Sequence, residues 1–466
     1  MYLSETELDL SSPPSEGSIL RWLAQKTRER LPVDAALVRL VVTESNHDVY
    51  KCEVTTFQDA GGSRRFSPDL ALEFRKRRLE NVEHFNVVML VPTGIGAAIG
   101  GHAGDATPAA RLLASVCDTL VIHPNVVNAS DINEMPANAL YVEGSVLCRL
   151  LMGTAGLQPV RANRVLVLIH AHPDKAFTGL AINAVNAARS TYGLSCPRLI
   201  ELDHPVVMRP SYTSSSRAAG HVEGLENLFD LLDKHREEYD AVAISSVIST
   251  PFNYYGDYFH SDGDMVNPWG GVESMLTHTI SSLYDVPSAH SPMLESQDVL
   301  DIDTGIVDPR MAAEVISVSF LQCILKGLQK SPKIVTDAET MLEPSVLTAR
   351  DISCLVIPDG CLGLPTLAAL EQGIPVIAVR ENTNLMKNDL SDLPWRPGQL
   401  HVVENYWEAA GVLAALRAGI EPAAARRPLQ PVILEKSRTT PTDTDTDTNG
   451  RFPDLQSIPL ASQDRP

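Results

Sequence analysis

The sequence predicts an α/β fold with open, doubly wound, mostly parallel sheets. From residue 86 onward, short apolar runs such as NVVMLV (86–91), RVLVLIH (164–170) and DISCLVIP (351–358) are separated by helical segments. These runs have strand length and no polar alternation, as in parallel strands covered by helices on both faces. Repeated strand and helix in this order is typical of Rossmann-like units, and the length of the pattern predicts two of them.

The N-terminal segment, residues 1–84, has a different pattern and predicts a small α+β segment. SEGSILRWLAQKTRERL (15–31) begins with a Ser cap and has helical spacing of its apolar residues. AALVRLVVTE (35–44) and VYKCEVTTF (49–57) are predicted strands. DLALEFRKRRLENV (69–82) is predicted to be a second helix.

The rest of the chain divides into three predicted parts. Residues 85–210 form the first α/β unit and contain a glycine-rich loop, and residues 211–422 form the second. Residues 423–466 carry Pro, Thr and Asp repeats with few large apolar groups. Such a tail cannot bury enough apolar surface to offset its ordering entropy, so we expect it to be disordered.

Composition limits the classes of partner. The 466 residues include 38 Lys+Arg against 58 Asp+Glu, which gives a net charge of −20. A surface this acidic repels nucleic acids and anionic lipids, so neither is expected as a partner. There is no apolar run long enough to span a bilayer, and the N-terminus lacks the apolar core of a signal peptide. Seven scattered cysteines favour reduced thiols and a cytoplasmic location. The oligomeric state does not follow from composition.

A glycine-rich stretch, VPTGIGAAIGGHAGD (91–105), joins a predicted strand to a predicted helix. This order can place backbone N–H groups around an anion, although glycines also permit tight packing against the protein's own backbone. The spacing is not the dinucleotide G-x-G-x-x-G, and the next strand ends without an acid for the ribose, so NAD is not expected. The candidate ligand-binding residues here and at the next strand end are Thr93, Gly94, Gly96, Gly100, Gly101, Asn125 and Asn128.

Histidine and carboxylate residues are concentrated in NYYGDYFHSDGDMVNPWGGVESMLTH (253–278). Imidazole titrates near neutral pH, so a His with nearby carboxylates can transfer protons. The candidate catalytic residues are His260, Asp264 and, from the glycine-rich stretch, His102. Asp257 and Asp262 either hold a divalent metal or orient His260. The competing interpretation is a plain turn, because Asp-Gly-Asp is common in turns.

The C-terminal strand–helix–strand stretch, DISCLVIPDGCLGLPTLAALEQGIPVIAVREN (351–382), resembles the nucleotide-sugar half of two-domain glycosyltransferases and epimerases. That pattern has a Glu four residues before a Gly-x-Pro, whereas Glu371 lies two residues before Gly373. The similarity is therefore one between β–α–β units.

Three longer stretches carry a family resemblance: the glycine-rich loop with its continuation to residue 153, HSDGDMVNPWGGVESMLTH followed by PSAHSPM, and PDGCLGLPTLAALEQGIPVIAV. They are similar to the family known as domain of unknown function 3326, over roughly residues 86–405. The resemblance implies a protein of photosynthetic organisms, and it assigns no catalytic residue.

These observations predict an enzyme that acts on a small phosphate- or carboxylate-bearing metabolite by His/Asp acid–base chemistry, with metal assistance as an option. One alternative is a nucleotide-sugar transferase or epimerase with two Rossmann-like halves. The other is a non-catalytic ligand-sensing or scaffold protein.

Overall fold

The structure is a computed structural model that describes residues 1–14, 17–46, 48–59, 67, 69–251, 253–317, 319–429 and 431–434. These residues form a mixed α/β architecture with parallel and antiparallel sheets. Residues 1–422 make one compact unit and residues 423–466 a second. Of the predicted disordered tail, all but 423–429 and 431–434 lies outside the described residues.

The strands are β1 (Tyr2–Ser11), β2 (Ala36–Ser45), β3 (Val49–Gln58), β4 (Asn86–Met89), β5 (Thr119–Ile122), β6 (Ala139–Tyr141), β7 (Gly156–Gln158), β8 (Arg164–His170), β9 (Ser195–Leu202), β10 (Val207–Tyr212), β11 (Ala218–Glu223), β12 (Ala241–Val247), β13 (Ser288–Met293), β14 (Lys333–Val335), β15 (Ile352–Pro358), β16 (Leu362–Gly363), β17 (Val376–Val379) and β18 (Leu400–Val403). The α-helices are α1 (Ile19–Arg30), α2 (Thr107–Ala114), α3 (Gly144–Leu151), α4 (Lys175–Tyr192), α5 (Leu225–Lys234), α6 (Tyr254–Phe259), α7 (Gly270–Tyr284), α8 (Gln297–Leu300), α9 (Ala312–Val315), α10 (Phe320–Gln329), α11 (Leu364–Gln372) and α12 (Tyr406–Arg417).

The first parallel sheet has the strand order β18-β17-β15-β4-β5-β6. Every residue of β4, β15 and β17 is buried, as predicted for strands covered on both faces. From β4 the chain moves outward to β5 and β6, and from β15 it moves outward in the opposite direction to β17 and β18. The strand order therefore reverses between β4 and β15, and their carboxyl ends lie side by side.

The second parallel sheet has the order β13-β12-β8-β9. Apolar residues of α4 and α10 pack on one face of this sheet, and those of α5 and α7 pack on the other. Helix α7 thus lies between the second parallel sheet and the strands of the N-terminal part of the chain.

The antiparallel sheet has the order β10-β11-β1-β3-β2-β16. Strand β16 follows β15 after three residues and pairs with β2, so that Leu362 faces Val42 and Gly363 faces Val41. The antiparallel sheet is therefore connected directly to the end of β15 in the first parallel sheet.

Local sequence signals place several helix ends. Asp174 caps α4 by accepting a hydrogen bond from the N–H of Ala176 at 2.9 Å, and Gly193 ends the helix in the left-handed region with φ 70°. Helix α1 and strands β2 and β3 form where the N-terminal sequence predicts them.

The helix predicted for residues 69–82 is wrong. Only Leu70–Leu72 form a short 3-10 turn, and the chain then runs without helix. Arg77 explains the difference, because its backbone N–H donates to Gln372 Oε1 at 2.6 Å and its guanidinium donates to the carbonyls of Gln372 and Ile352 at 3.0 and 2.8 Å. These contacts outweigh a helical preference of a few tenths of a kcal/mol per residue, roughly.

Candidate active site

A cavity of about 1000 Å³, including its mouth, lies where the strand order reverses; we call it the first cavity. Its wall contains Thr93 after β4, His123 after β5, Gly144 after β6 and residues 361–366 after β15. Residues of β2 and α7 complete the wall. The carboxyl ends of four neighbouring parallel strands thus meet at one cavity, which is where ligands bind in open α/β sheets.

A histidine–carboxylate pair lies at this wall. Glu143, at the N-terminus of α3, is hydrogen-bonded to Nδ1 of His278 from α7 and accepts further bonds from the N–H of Ser145 at 2.9 Å and from Thr277 Oγ1 at 3.3 Å. Burial favours a raised pKa for Glu143, but the His278 charge and these hydrogen bonds outweigh it and hold the pKa below its ordinary value. Glu143 is therefore an ionised, buried carboxylate that fixes the ring of His278.

The other ring nitrogen of His278, Nε2, has no hydrogen-bond partner among the described residues, and the side chain is 16% exposed at the cavity wall. A carboxylate on Nδ1 keeps a proton on that nitrogen in both charge states of the ring, so Nε2 is the atom that can take up or release a proton. His278 is therefore arranged to accept a proton from a molecule in the first cavity and to return it.

Gly144 makes room for this ring. A Cβ at Gly144 would lie 2.9 Å from Cε1 and 3.5 Å from Nε2 of His278. We expect Gly144→Ala to displace the ring and break its bond to Glu143 while α3 remains folded, since Ala is a better helix former than Gly. The measurement is the downfield NMR signal of the Nδ1 proton, which should disappear or shift. Gly179→Ala, whose added Cβ meets nothing within 4 Å, is the control. An unchanged Nδ1 signal in Gly144→Ala would contradict the assignment.

A second histidine, His123, is held in the neutral form. Its Nε2 accepts the N–H of Val91 at 3.1 Å, so the ring proton is on Nδ1. Burial, assisted by the nearby charge of His278, lowers the pKa of His123 to about 4. His123 therefore supplies a hydrogen-bond donor rather than a charge.

The charged side chains that line the first cavity are cationic. Arg39 of β2 and Arg149 of α3 line the cavity, and no Asp or Glu is among its described lining residues. Glu5 and Asp285, which do not line it, lie 3.3 and 2.8 Å from these guanidinium groups. Nε of each arginine is buried and lacks a hydrogen-bond partner among the described residues. Burial lowers the pKa of Arg39 to about 10, so it is still charged at neutral pH.

Helix α11 also begins at this wall. Leu364 and Pro365 of its first turn line the cavity, and its N-cap residue, Gly363, has no side chain that could cap the helix. The N-terminus of an α-helix carries about half a positive charge, which acts in the same direction as the arginines.

The glycine-rich loop contributes Thr93 to the cavity, whereas its glycines pack against protein. A Cβ at Gly94 would meet the carbonyl oxygen of Ala218 at 2.6 Å, and Gly94 has φ +78°. Corresponding contacts are Val266 Cγ2 at 3.1 Å for Gly96, Val91 Cγ1 at 2.9 Å for Gly100 and the Ala97 oxygen at 2.1 Å for Gly101. Close packing against the protein's own backbone and side chains is thus sufficient reason for these four glycines.

Asn125 and Asn128 hold loops in place. The Asn125 amide donates to the carbonyls of Val91 at 2.9 Å and Gly100 at 2.8 Å, which ties the glycine-rich loop to the end of β4. The backbone N–H of Asn128 donates to Asp131 at 3.2 Å. Binding of a ligand by the two amides stays a prediction.

His102 is buried and lies at 2.8 Å from the Tyr258 hydroxyl through its Nδ1. Burial lowers its pKa to about 4, and the nearby Arg310 charge adds to this. His102 is therefore neutral at pH 7 and is not among the lining residues of the first cavity.

His260, Asp257, Asp262 and Asp264 are exposed, at and after α6. Asp257 accepts a hydrogen bond from Asn253 at 2.7 Å, and Asp262 has φ +53°, as expected in a tight turn. No group of three or more metal-ligating side chains forms among the residues that the structure describes. The structure does bring this segment to the glycine-rich loop, but through Tyr258 and Val266 rather than through His260.

A second histidine–carboxylate arrangement lies in the interior of the protein. Glu273 bonds His290 Nδ1 at 2.8 Å, and His290 Nε2 lies 2.9 Å from Ser246 Oγ. The order is that of a hydrolase triad, but the Ser246 side chain is completely buried against Met208 and cannot reach a substrate. We assign it a structural role in joining β12 and β13 to α7.

The sequence did not single out Glu143, Arg39 or Arg149. Glu143 follows β6 in the stretch Tyr141-Val142-Glu143-Gly144. An acidic residue followed by glycine at the end of a strand is the pattern that could have indicated it. His278 lies in the histidine-rich stretch 253–278. It is five residues from Glu273, a spacing that does not place the two side chains on one face of a helix.

Comparison with known proteins identifies the family. The family described as protein of unknown function (DUF3326) matches residues 86–426. The chain belongs to the DUF3326 family. This confirms the resemblance predicted for roughly residues 86–405 and extends it to residue 426.

An uncharacterized lipoprotein of Synechococcus sp. is similar to this DUF3326 protein, with 34% identity over 343 residues, which cover 72% of this chain and 92% of the relative. No solved structure matches the chain. Among the described residues, no helix combines the length and apolar character needed to cross a bilayer.

Proposed function

We propose that this DUF3326 protein is an enzyme that binds a small organic anion in the first cavity and transfers a proton through His278. The observation that carries the proposal is the buried Glu143–His278 pair at the wall of a cavity whose charged side chains are cationic. Apolar residues such as Leu40, Leu90 and Met386 make up much of the remaining wall. The expected substrate therefore combines one anionic group with an apolar body.

The strand order supports this location. The sequence β6-β5-β4-β15-β17-β18 corresponds to the 3-2-1-4-5-6 order of doubly wound sheets, and we interpret the first parallel sheet in that way. In such sheets, ligands bind at the carboxyl ends of the strands where the order reverses. The first cavity occupies this position.

As in the prediction from sequence, we propose acid–base chemistry with Thr93 in the site. Proton transfer is assigned to His278 instead of His102, His260 or Asp264. His102 is buried against Tyr258, and His260 is on an exposed helix end. Glu143 orients His278, Arg39 and Arg149 attract the anion, and Thr93 offers a hydroxyl. Proton removal next to a carbonyl or carboxylate is the step that this set of groups can promote.

A deuterium-exchange assay tests the reaction. The protein is incubated in D₂O with a panel of 2-oxo and 3-oxo carboxylates that carry alkyl or aryl chains, and deuterium at carbon is measured by mass spectrometry. We expect exchange into at least one compound, and about a 100-fold slower exchange in His278→Gln. The glutamine side chain can still bond Glu143, so the melting temperature should change little.

The control is His84→Gln, because the His84 side chain is 68% exposed and lies outside the cavity lining. Exchange that is equal in wild type and His278→Gln would contradict the role of His278. If no compound of the panel undergoes exchange and none raises the melting temperature of the protein, the proposed function is contradicted.

We also propose the cytoplasm as the location. All seven cysteines are free, and those at 52, 117, 354 and 361 are buried. The relative named a lipoprotein makes a membrane surface the alternative. Fractionation of cells that express the full-length protein decides between the two.

A further inference from the structure

A second cavity of about 1340 Å³, including its mouth, lies at the carboxyl ends of β12 and β13 in the second parallel sheet. Ser245 of β12 and Ser291 of β13 line it together with Phe177 from the first turn of α4. It shares no lining residue with the first cavity. The second cavity nevertheless lies at the same place in its sheet as the first cavity does. The strand order of the second parallel sheet also reverses, between β8 and β12.

The charge of the second cavity is opposite to that of the first. The charged side chains of its described lining are Glu295 and Glu314, and this lining contains no Lys, Arg or His. Helices α4 and α10 begin nearby, but Asp174 caps α4, and each helix N-terminus carries only about half a positive charge. The net preference of the wall is for a cation.

Glu314 is a buried carboxylate that has no cationic partner within 4 Å among the described residues. It is 9% exposed, and its oxygens accept bonds from the Tyr258 hydroxyl at 2.9 Å, the Asn267 amide at 3.2 Å and the Ala103 N–H at 3.3 Å. Burial raises its pKa to about 7. A buried carboxylate in the lining of a cavity, without a counter-ion, is typical of a binding site.

Aromatic rings line the same cavity as this carboxylate. Tyr255, Phe259 and Trp269 line the cavity, and their ring centroids are 4.9 Å apart for Tyr255 and Phe259 and 6.3 Å apart for Tyr255 and Trp269. The faces of tyrosine and tryptophan rings attract ammonium groups, most strongly when these are removed from water. Phe177 and Leu180 extend the wall with apolar surface.

We propose that the second cavity binds a small organic amine, with its ammonium group between Glu314 and the rings of Tyr255 and Trp269 and its apolar body against Phe177 and Leu180. This site is independent of the proposed reaction in the first cavity. It makes the protein a receptor for two ligands of opposite charge.

Isothermal titration calorimetry of the full-length protein with phenethylamine tests the proposal at pH 7.5. Phenethyl alcohol and 3-phenylpropionate have similar shape without the positive charge and serve as control probes. We expect phenethylamine to bind at least about tenfold more tightly than either, and Glu314→Gln to weaken its binding by about tenfold or more.

Three further variants keep the result interpretable. Trp269→Leu should weaken phenethylamine binding without removing the carboxylate, and it replaces Glu314→Gln if that variant does not fold. Glu237→Gln, an exposed change outside the cavity lining, and His278→Gln should both leave binding unchanged. Equal binding of the three probes, no binding of phenethylamine, or equal affinity in wild type and both cavity variants would overturn the proposal.

Discussion

Asp105→Asn is expected to become more stable relative to the wild type as the pH rises from 5 to 8, by about 2 to 3 kcal/mol in the free energy of unfolding. Asp105 is buried beside the glycine-rich loop, where Oδ1 accepts the N–H of Gly100 at 2.8 Å and Oδ2 has no hydrogen-bond partner in the part of the chain that the structure describes. Burial raises its pKa from 3.8 to about 7. Asparagine can keep the bond to Gly100 without carrying a charge.

The direction follows from proton binding. Between pH 4 and 7, roughly, the folded protein holds a proton on Asp105 that the unfolded chain has lost, so stability falls as the pH rises through this window. His102 and His123, whose pKa values fall to about 4, act in the opposite direction, because they remain neutral in the folded state while the unfolded chain takes up protons. Comparing variant with wild type at each pH cancels their contribution.

Urea unfolding followed by circular dichroism at pH 5, 6, 7 and 8 gives the required free energies. Asp262→Asn is the matched control, since Asp262 is exposed and Asn tolerates its positive φ. A constant difference between Asp105→Asn and wild type over the four pH values would contradict the assignment of a raised pKa to Asp105.

Arg217→Met is expected to lower the free energy of unfolding by about 3 to 5 kcal/mol at pH 7. The Arg217 side chain is completely buried and forms ion pairs with Glu5 of β1 and Glu53 of β3. Its removal leaves these two carboxylates in the interior with fewer partners for their negative charge. Glu5 then keeps Arg39 at 3.3 Å, and Glu53 keeps the Ser215 hydroxyl at 2.6 Å.

The control for Arg217→Met is Arg209→Met on the neighbouring strand. Arg209 pairs with Glu223 at 2.6 Å, but both side chains are about half exposed, so we expect a loss below about 1 kcal/mol. Chemical denaturation of both variants gives the comparison. Equal losses for the two arginines would show that burial does not set the strength of the Arg217 pairs.

The parallel sheets were predictable because their signal is local. A run of apolar residues such as NVVMLV shows by itself that both faces of the strand are covered, and the predicted strands of both parallel sheets are present. The helix predicted for residues 69–82 failed for the complementary reason: its conformation is decided by Arg77 and its partners near residue 372, which no local pattern reports.

The candidate site was only partly predictable. The ends of the strands were expected to carry it, and Thr93 does lie at the first cavity. The pairing of Glu143 with His278 joins positions 135 residues apart, and the two lie on different helices, so neither spacing nor a short motif indicates it. The glycines of the loop illustrate the opposite difficulty, because packing against Ala218 and Val91 produces the same sequence pattern as an anion site.

The pairing of β16 with β2 means that the family match, which begins at residue 86, does not include the whole wall of the first cavity. Residues 38–41 of β2 and Ala71 form part of this wall, and they precede residue 86. A shortened protein that starts at residue 86 would keep Glu143 and His278 but open the first cavity into a groove and expose the edge of β16. Under the proposed function, sequence differences before residue 86 are therefore expected to change which anions relatives bind, even where Glu143 and His278 are both present.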